Sequence, residues 1–155
     1  MTSIVYEDRY LHSPLVARIC IDTLSALSKA HGSNVPITIK TRRLSESELF
    51  PRRIEHNWKI DRDREVVFRE YAAGLRIALE LQLGDPPHAR QITITTKSGK
   101  KVYVLLDQGF GAWRPERYRD FDFRARAESQ ARQLKGLDFV LSMPTESKTY
   151  IVARV

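Results

Sequence analysis

The chain has few of the features that mark secreted, membrane-embedded or metal-binding proteins. Only one of its 155 residues, Cys20, is a cysteine, which excludes an internal disulfide and a zinc site built from several cysteines. The longest apolar run lies in the segment VYVLL, far short of the ~20 residues that span a bilayer. The first residues, MTSIVYEDRY, carry an acid pair and lack the basic-then-apolar order of a secretory signal. These absences predict a cytoplasmic protein, in which a lone thiol stays reduced.

Motifs for metal binding, nucleotide binding and nucleophilic catalysis are also missing. The four histidines are scattered, and none stands at metal-ligand spacing from another histidine or from the cysteine. The GFG segment at 109–111 is too short for a nucleotide-binding fingerprint and is more typical of a tight corner. No serine stands in a nucleophile elbow. We therefore expect no metal site and no cofactor.

Basic residues, in contrast, are in excess. There are 26 lysines and arginines against 19 acids, which gives a formal net charge of +7 and an isoelectric point of about 9.8. Such a charge is typical of proteins that meet nucleic acid, an acidic membrane or a phosphorylated ligand, although it also serves solubility alone. One stretch concentrates positive charge without any acid, and it contains Arg90, Lys97, Lys100 and Lys101.

The order of apolar patterns predicts an α/β fold, with a mixed β-sheet flanked by helices, in one domain over residues 1–155. Helical periodicity begins at Ser13 and Pro14, ends near Gly32, and returns in 60–74 and 124–135. In 75–84 the residue types favour a helix but strict alternation favours a strand, and we follow the alternation. The other predicted strands lie in 4–11 and 35–41, in a hairpin over 90–108 that turns at KSGK, and in a final pair around PTES.

The hairpin opens with a motif that resembles the active-site strand of the phospholipase D superfamily. That superfamily carries H-x-K-x4-D, in which histidine is the nucleophile, lysine neutralises the phosphate and aspartate completes the site. Here His88 stands at the histidine position, Arg90 replaces the lysine and Thr95 replaces the aspartate, while Gly109 ends the return strand. Arginine binds phosphate but does not exchange protons at neutral pH, and threonine carries no charge, so these replacements argue against catalysis.

A closer resemblance is to one branch of that superfamily, the domain that follows the microtubule-interacting-and-trafficking (MIT) domain. The similar segments are EDRYL, the H-x-R-x-I run from His88, the turn at Gly99, GFGAW, and DFD at 120–122. The resemblance covers about residues 4–123, and 124–155 add a C-terminal helix and strand pair. It implies a single phospholipase D-like lobe that has lost its catalytic residues, binds membranes and assembles as a homodimer.

These observations favour a non-catalytic binding or adaptor module that engages a polyanion. The predicted anion-binding site consists of His88, Arg90, Lys97, Lys100 and Lys101. Nucleic acid is favoured over acidic membrane because no amphipathic membrane helix is visible, and a partner protein is a third candidate. Two alternatives remain open: a phosphodiesterase or nuclease that uses His88 as its nucleophile, and a purely structural subunit of a larger complex.

The candidate residues also have structural interpretations. His88 could cap its strand, and Arg90 could pair with an acid such as Asp107 or Asp122. A secondary basic and aromatic surface suits phosphate contact and base stacking, but an ordinary loop pinned in the core by its tryptophan would have the same composition. This secondary surface consists of Trp113, Arg114, Arg117, Tyr118 and Arg119.

Overall fold

The three-dimensional structure is a computed structural model. It describes residues 1–30, 34–44, 57–112, 114–115, 121–136, 141–142 and 149–154. Three helices are present in this part of the chain: α1 (Pro14–Lys29), α2 (Asp61–Leu75) and α3 (Ala127–Gly136). None of the described helices combines the length and the apolar character that crossing a membrane requires.

Within the described ranges, six strands form one sheet and two very short strands pair separately. The six are β1 (Ser3–Glu7), β2 (Ile37–Arg42), β3 (Leu79–Gly84), β4 (Gln91–Thr95), β5 (Lys101–Leu106) and β8 (Thr149–Arg154). The short pair is β6 (Arg114–Pro115) with β7 (Leu141–Ser142), and a 3-10 turn covers Gly109–Ala112. The order across the sheet is β3-β2-β1-β4-β5-β8.

The sheet is mixed, which confirms the predicted α/β class. β1, β2 and β3 run parallel to one another, whereas β4 pairs antiparallel with β1, β5 with β4, and β8 with β5. The carboxyl ends of β1, β2, β3 and β5 therefore share one edge of the sheet with the starts of β4 and β8. We call this the carboxyl edge; the β4–β5 turn lies at the opposite edge.

Alternation along the strands gives the sheet one apolar and one polar face. On the apolar face Ile4 and Tyr6 of β1 lie opposite Ile37 and Ile39 of β2, and all four are buried. They join Leu24, the buried apolar residues of α2, and Ala127 and Leu134 of α3 in one hydrophobic core. The crossovers from β1 to β2 through α1 and from β2 to β3 through α2 run in the same direction along the sheet. Because such connections are right-handed, both helices lie on one face of the sheet. The polar face carries, among others, Ser3, Thr38, Gln82, Gln91, Thr93 and Tyr103.

A fully buried arginine of α2 fixes the loop that follows β1. Arg64 donates to Asp61 Oδ1 at 2.5 Å, to the carbonyl of Arg42 at 2.8 Å and to the carbonyl of Leu11 at 3.3 Å. Hydrogen bonds from both terminal nitrogens offset the cost of burying the guanidinium, although its Nε has no hydrogen-bond partner among the described residues. The loop over residues 8–13 is therefore held at the carboxyl edge, where it meets the start of β4.

The boundary between α2 and β3 differs from the prediction. The helix runs to Leu75, one residue past Gly74, and Arg76 ends it in a left-handed conformation with φ 55°. The amide of Ile77 then donates back to the carbonyl of Ala72, which completes the helix cap. Helical propensity thus wins at the start of 75–84, and the strand begins only at Leu79.

The predicted final strand pair is wrong in its pairing. Strands do occur near both predicted positions, but β7 pairs with β6, and β8 pairs with β5 from Leu106↔Thr149 to Lys101↔Arg154. The alternation of β5 and β8 could not reveal this, because short strands of similar composition allow several partners. Gly32, PTES at 144–147 and most of the predicted surface loop at 42–53 lie outside the described residues.

Candidate functional site

The five predicted anion-binding residues lie at two opposite ends of the β4–β5 hairpin. His88 and Arg90 are at the carboxyl edge, whereas Lys97, Lys100 and Lys101 surround the turn. The six residue-to-residue steps from Arg90 to Thr96 span roughly 20 Å at ~3.4 Å per step. The structure therefore does not assemble them into one site, and the two ends have different surroundings.

At the carboxyl edge, Arg9 holds the segment that connects β3 to β4. Its Nε donates to the carbonyl of Pro86 at 2.5 Å, its Nη2 to Asp85 Oδ1 at 2.7 Å and its Nη1 to His88 Nε2 at 2.7 Å. Arginine only donates hydrogen bonds, so His88 Nε2 must be the acceptor and the ring hydrogen lies on Nδ1. The lone pair that a nucleophilic Nε2 would use is therefore already engaged.

The side chain of Arg90 also makes contacts within the fold. The acid that it pairs with is Asp8, which the sequence did not suggest. Its Nη1 donates to the main-chain carbonyl of Asp107 at 2.6 Å, and its Nε lies 3.6 Å from Asp8 Oδ1. The guanidinium also lies over the ring of Tyr10, 5.0 Å from its centroid. The Asp8 side chain is only 3% exposed, and it accepts further hydrogen bonds from Tyr6 Oη at 2.7 Å and from the amide of Tyr10 at 2.8 Å.

Gly109 closes this arrangement from the side of β5. It has φ +58°, and a Cβ there would lie 2.6 Å from Arg90 Cδ, 2.7 Å from Asp8 Oδ2 and 3.0 Å from Tyr6 Oη. Burial, with Asp8 beside it, raises the pKa of the Tyr6 hydroxyl well above its ordinary value, so the hydroxyl stays a hydrogen-bond donor. We call Tyr6, Asp8, Tyr10, Arg90 and Gly109 the edge cluster; Tyr6 and Asp8 are buried at its centre, while Tyr10, 48% exposed, covers it from the solvent side.

In contrast to His88 and Arg90, the lysines at the other end of the hairpin are available to solvent. Gly99, with φ +80°, and hydrogen bonds from the Thr96 amide to Lys100 O (2.9 Å) and from the Gly99 amide to Thr96 O (3.0 Å) define the turn. Lys97, Lys100 and Lys101 are all exposed. Within the described part of the chain, no carboxylate lies within 4.0 Å of their ammonium groups. This turn therefore presents three uncompensated positive charges to solvent.

The family of the chain is established by its sequence over its whole length. Residues 1–155 match the family model described as DEAD/DEAH box helicase YjiV, C-terminal domain. The chain belongs to this helicase C-terminal domain family. No match was found among curated proteins.

Membership of the helicase C-terminal domain family overturns the predicted resemblance. The phospholipase D-like lobe, the MIT-associated family and the phospholipase D-like function were read from short motifs, and the full-length match to another family shows that assignment to be wrong. The homodimer that the resemblance implied stays a prediction. The geometry explains the error. The H-x-R pair that resembled a degenerate phosphohistidine site is held by Arg9 and Asp8 as part of the fold.

The secondary basic and aromatic surface of this helicase C-terminal domain stays a prediction. Trp113, Arg117, Tyr118 and Arg119 lie outside the described residues, and Arg114 is placed only by its backbone, in β6. Asp122, the other acid considered for Arg90, caps a turn instead, where its Oδ1 accepts from the amide of Arg124 at 2.8 Å.

The residues that sequence reasoning missed are Asp8, Arg9 and Tyr10, which organise the carboxyl edge. They belong to the segment EDRYL, noted only for its resemblance to another family. Their position directly after a buried strand was the available signal, because side chains at the carboxyl ends of parallel strands converge. Among the described residues no three metal-ligating side chains cluster. A shallow depression of about 140 Å³ between α2 and α3 is lined by Glu70, Glu128, Arg132 and Lys135 and carries charges of both signs.

Proposed function

We propose that this helicase C-terminal domain binds nucleic acid through the β4–β5 turn, without catalysing a reaction itself. The observation that carries the proposal is the presence of three exposed lysines, Lys97, Lys100 and Lys101, with no carboxylate partner among the described residues. The net charge of +7 and the helicase family support it. Such a module would act in the cytoplasm, where the single cysteine stays reduced.

Lysines on a hairpin turn suit contact with phosphates better than recognition of bases. Each ammonium group is a compact point charge on a flexible stem, and it can follow a backbone without fixed geometry. Contacts of this kind position a protein on nucleic acid and carry no sequence information. We therefore expect binding that is strong at low salt and independent of sequence.

His88 and Arg90 have a different part in this proposal. Their side chains fix the connection before β4, and through it the position of the hairpin that presents the lysines. The proposal covers nucleic acid and not an acidic membrane, because no amphipathic membrane helix is visible in the sequence, and it leaves out the homodimer, which came from the phospholipase D resemblance.

The test compares two variants that change the net charge equally. In the first, Lys97, Lys100 and Lys101 are replaced by glutamate; in the second, the exposed Lys59, Arg62 and Arg69 near and on α2 are replaced in the same way. Both variants have a formal net charge of +1, since three reversals each remove two charges from +7. Binding of a labelled oligonucleotide is measured by fluorescence anisotropy over a range of salt concentrations.

The turn variant should lose most of the affinity, and its slope of log K against log salt should become smaller by about 2, at ~0.7 per phosphate on a single strand. The α2 variant should keep a slope close to that of the wild type. An equal loss of affinity in both variants would mean that net charge alone drives binding. A wild-type affinity that does not change with salt concentration would contradict the proposal.

A further inference from the structure

Three neighbouring strands present a polar face without a single acid. On this face β4 contributes Gln91, Thr93 and Thr95, β5 contributes Lys101, Tyr103 and Leu105, and the register places Tyr150, Val152 and Arg154 of β8 opposite the β5 residues. On β1, the next strand, Glu7 is paired with Lys40 of β2 at 3.3 Å. We call the β4, β5 and β8 part of the polar face the outer platform.

The outer platform exposes aromatic and apolar surface. Tyr150 is 54% exposed and Val152 is 44% exposed, while Tyr103 is half-buried beside them. Tyr150 lies opposite Leu105, and Tyr103 lies opposite Val152, so the two tyrosines are diagonal neighbours. Diagonal residues on adjacent antiparallel strands are ~7–8 Å apart, within reach of one another's rings. The exposed aromatic surface is therefore continuous with Val152 rather than isolated.

The cationic turn and this aromatic surface are joined by one residue. Lys101 is both the last lysine of the turn and the first residue of β5, two positions before Tyr103 on the same face. Two residues along a strand cover ~7 Å. A backbone that meets the turn lysines can therefore continue onto the outer platform without meeting an acid of these strands.

We propose that the outer platform binds single-stranded nucleic acid, with a base stacked on Tyr150 and phosphates further along the same strand at Lys101 and the turn. Tyr150 lies opposite Leu105, which is four residues, or ~14 Å, along β5 from Lys101. This inference rests on the proposed function and adds the form of nucleic acid. An aromatic ring on an open sheet stacks on base faces, which are free in a single strand but covered in a duplex. The absence of acids among the platform residues favours a polyanion over a protein segment. A helicase separates strands, so single strands are available where its C-terminal domain acts.

The test uses the 155-residue chain and two matched oligonucleotides of equal length, one of deoxythymidine and one of abasic deoxyribose phosphates. Both carry the same phosphates, but only the first has bases to stack. The affinity for each oligonucleotide is measured with the wild type and with three variants, Tyr150→Ala, Tyr150→Phe and Ile151→Ala. Ile151 is the matched control, because it is 72% exposed on the same strand but points to the other face of the sheet.

Tyr150→Ala should bind the thymidine strand about 5- to 150-fold more weakly than the wild type, which corresponds to the loss of one stacked base. Tyr150→Phe should restore most of the affinity, since it keeps the ring. The wild type should prefer the thymidine strand over the abasic strand and over a duplex of the same length, and Tyr150→Ala should bind the thymidine and abasic strands equally. Ile151→Ala should bind like the wild type.

Several results would overturn the inference. Undiminished binding by Tyr150→Ala, an equal loss on the abasic strand, or equal affinity of the wild type for duplex would each exclude stacking on Tyr150. A loss in Ile151→Ala as large as that in Tyr150→Ala would indicate a general role of the edge strand. If binding still depends on the turn lysines in these cases, the proposed function stands and only the platform is refuted; no binding by the wild type would refute both.

Discussion

Replacing Gly109 by alanine tests whether the edge cluster is as rigid as its contacts indicate. The added methyl group meets two obstacles. Gly109 has φ +58°, a left-handed conformation that costs an L-residue roughly 1–2 kcal/mol. The methyl carbon would also lie 2.7 Å from Asp8 Oδ2 and 3.0 Å from Tyr6 Oη, too close for either atom to stay in place.

The second obstacle, the clash with Asp8 and Tyr6, should cost at least as much as the backbone strain. Asp8 Oδ2 accepts the buried 2.7 Å hydrogen bond from Tyr6, and separating these groups leaves a buried polar atom unsatisfied, which costs about 1–3 kcal/mol. The sum is about 2–5 kcal/mol, a large part of the ~5–15 kcal/mol that stabilises an ordinary domain. Arg90 contributes less, because the atom met there, Cδ at 2.6 Å, belongs to a flexible side chain.

Alanine substitutions at two other glycines separate the cost of backbone strain from the cost of the clash at the Cβ position. Gly99 has φ +80° with nothing within 4 Å of its Cβ position, so Gly99→Ala should lose only the ~1–2 kcal/mol of backbone strain. Gly84 has open space and no positive φ, so Gly84→Ala should be close to neutral. Urea unfolding followed by circular dichroism gives the midpoint and the m-value for each variant. If Gly109→Ala loses no more stability than Gly99→Ala, the edge cluster is not the tightly packed unit inferred from its contacts.

Three further perturbations test other parts of the structure. Arg9→Lys should destabilise the protein by about 1–2 kcal/mol and speed proteolysis within residues 85–90, because lysine cannot make the three-point contact; unchanged proteolysis would argue against a holding role. Burial lowers the pKa of His12 below its ordinary 6.5, so its contribution to stability is complete above about pH 6.5 and declines as the pH falls below it. The melting temperature should therefore fall less between pH 7 and pH 5 in His12→Gln than in the wild type, and identical profiles would exclude His12 as a cause. Burial also raises the pKa of the Cys20 thiol, so a thiol reagent should label it only on unfolding, and immediate labelling of the native protein would contradict its burial.

The sequence predicted the class of fold well because that class depends on local periodicity. Apolar residues at helical spacing marked α1, and alternation marked the β4–β5 hairpin, since both patterns arise from neighbours a few residues apart. The pairing of β8 with β5 has no such local signal. It joins residues more than 40 positions apart in the chain, and alternation alone does not choose among partners.

The candidate site was predicted only in part, for a related reason. The lysines of the turn could be recognised because they are close in sequence, and a KSGK turn places them on the surface. The partner of Arg90 could not, because Asp8 is far away along the chain and meets it only through the pairing of β1 with β4. The short H-x-R motif suggested a degenerate catalytic site, whereas the contacts to Asp8 and Arg9 depend on tertiary structure.

The place of β1 in the sheet has a consequence for how the chain acquires its structure during synthesis. The first strand in the sequence is a central strand, and Thr2 reaches Thr95, 93 residues later, for its hydrogen bonds. At ~5–20 residues per second, a ribosome needs about 5–20 s to supply that partner. During this interval one edge of β1 is unpaired beside the apolar side chains of Ile4 and Tyr6. Nascent chains that stop before β4 should therefore be the ones that recruit chaperones or aggregate.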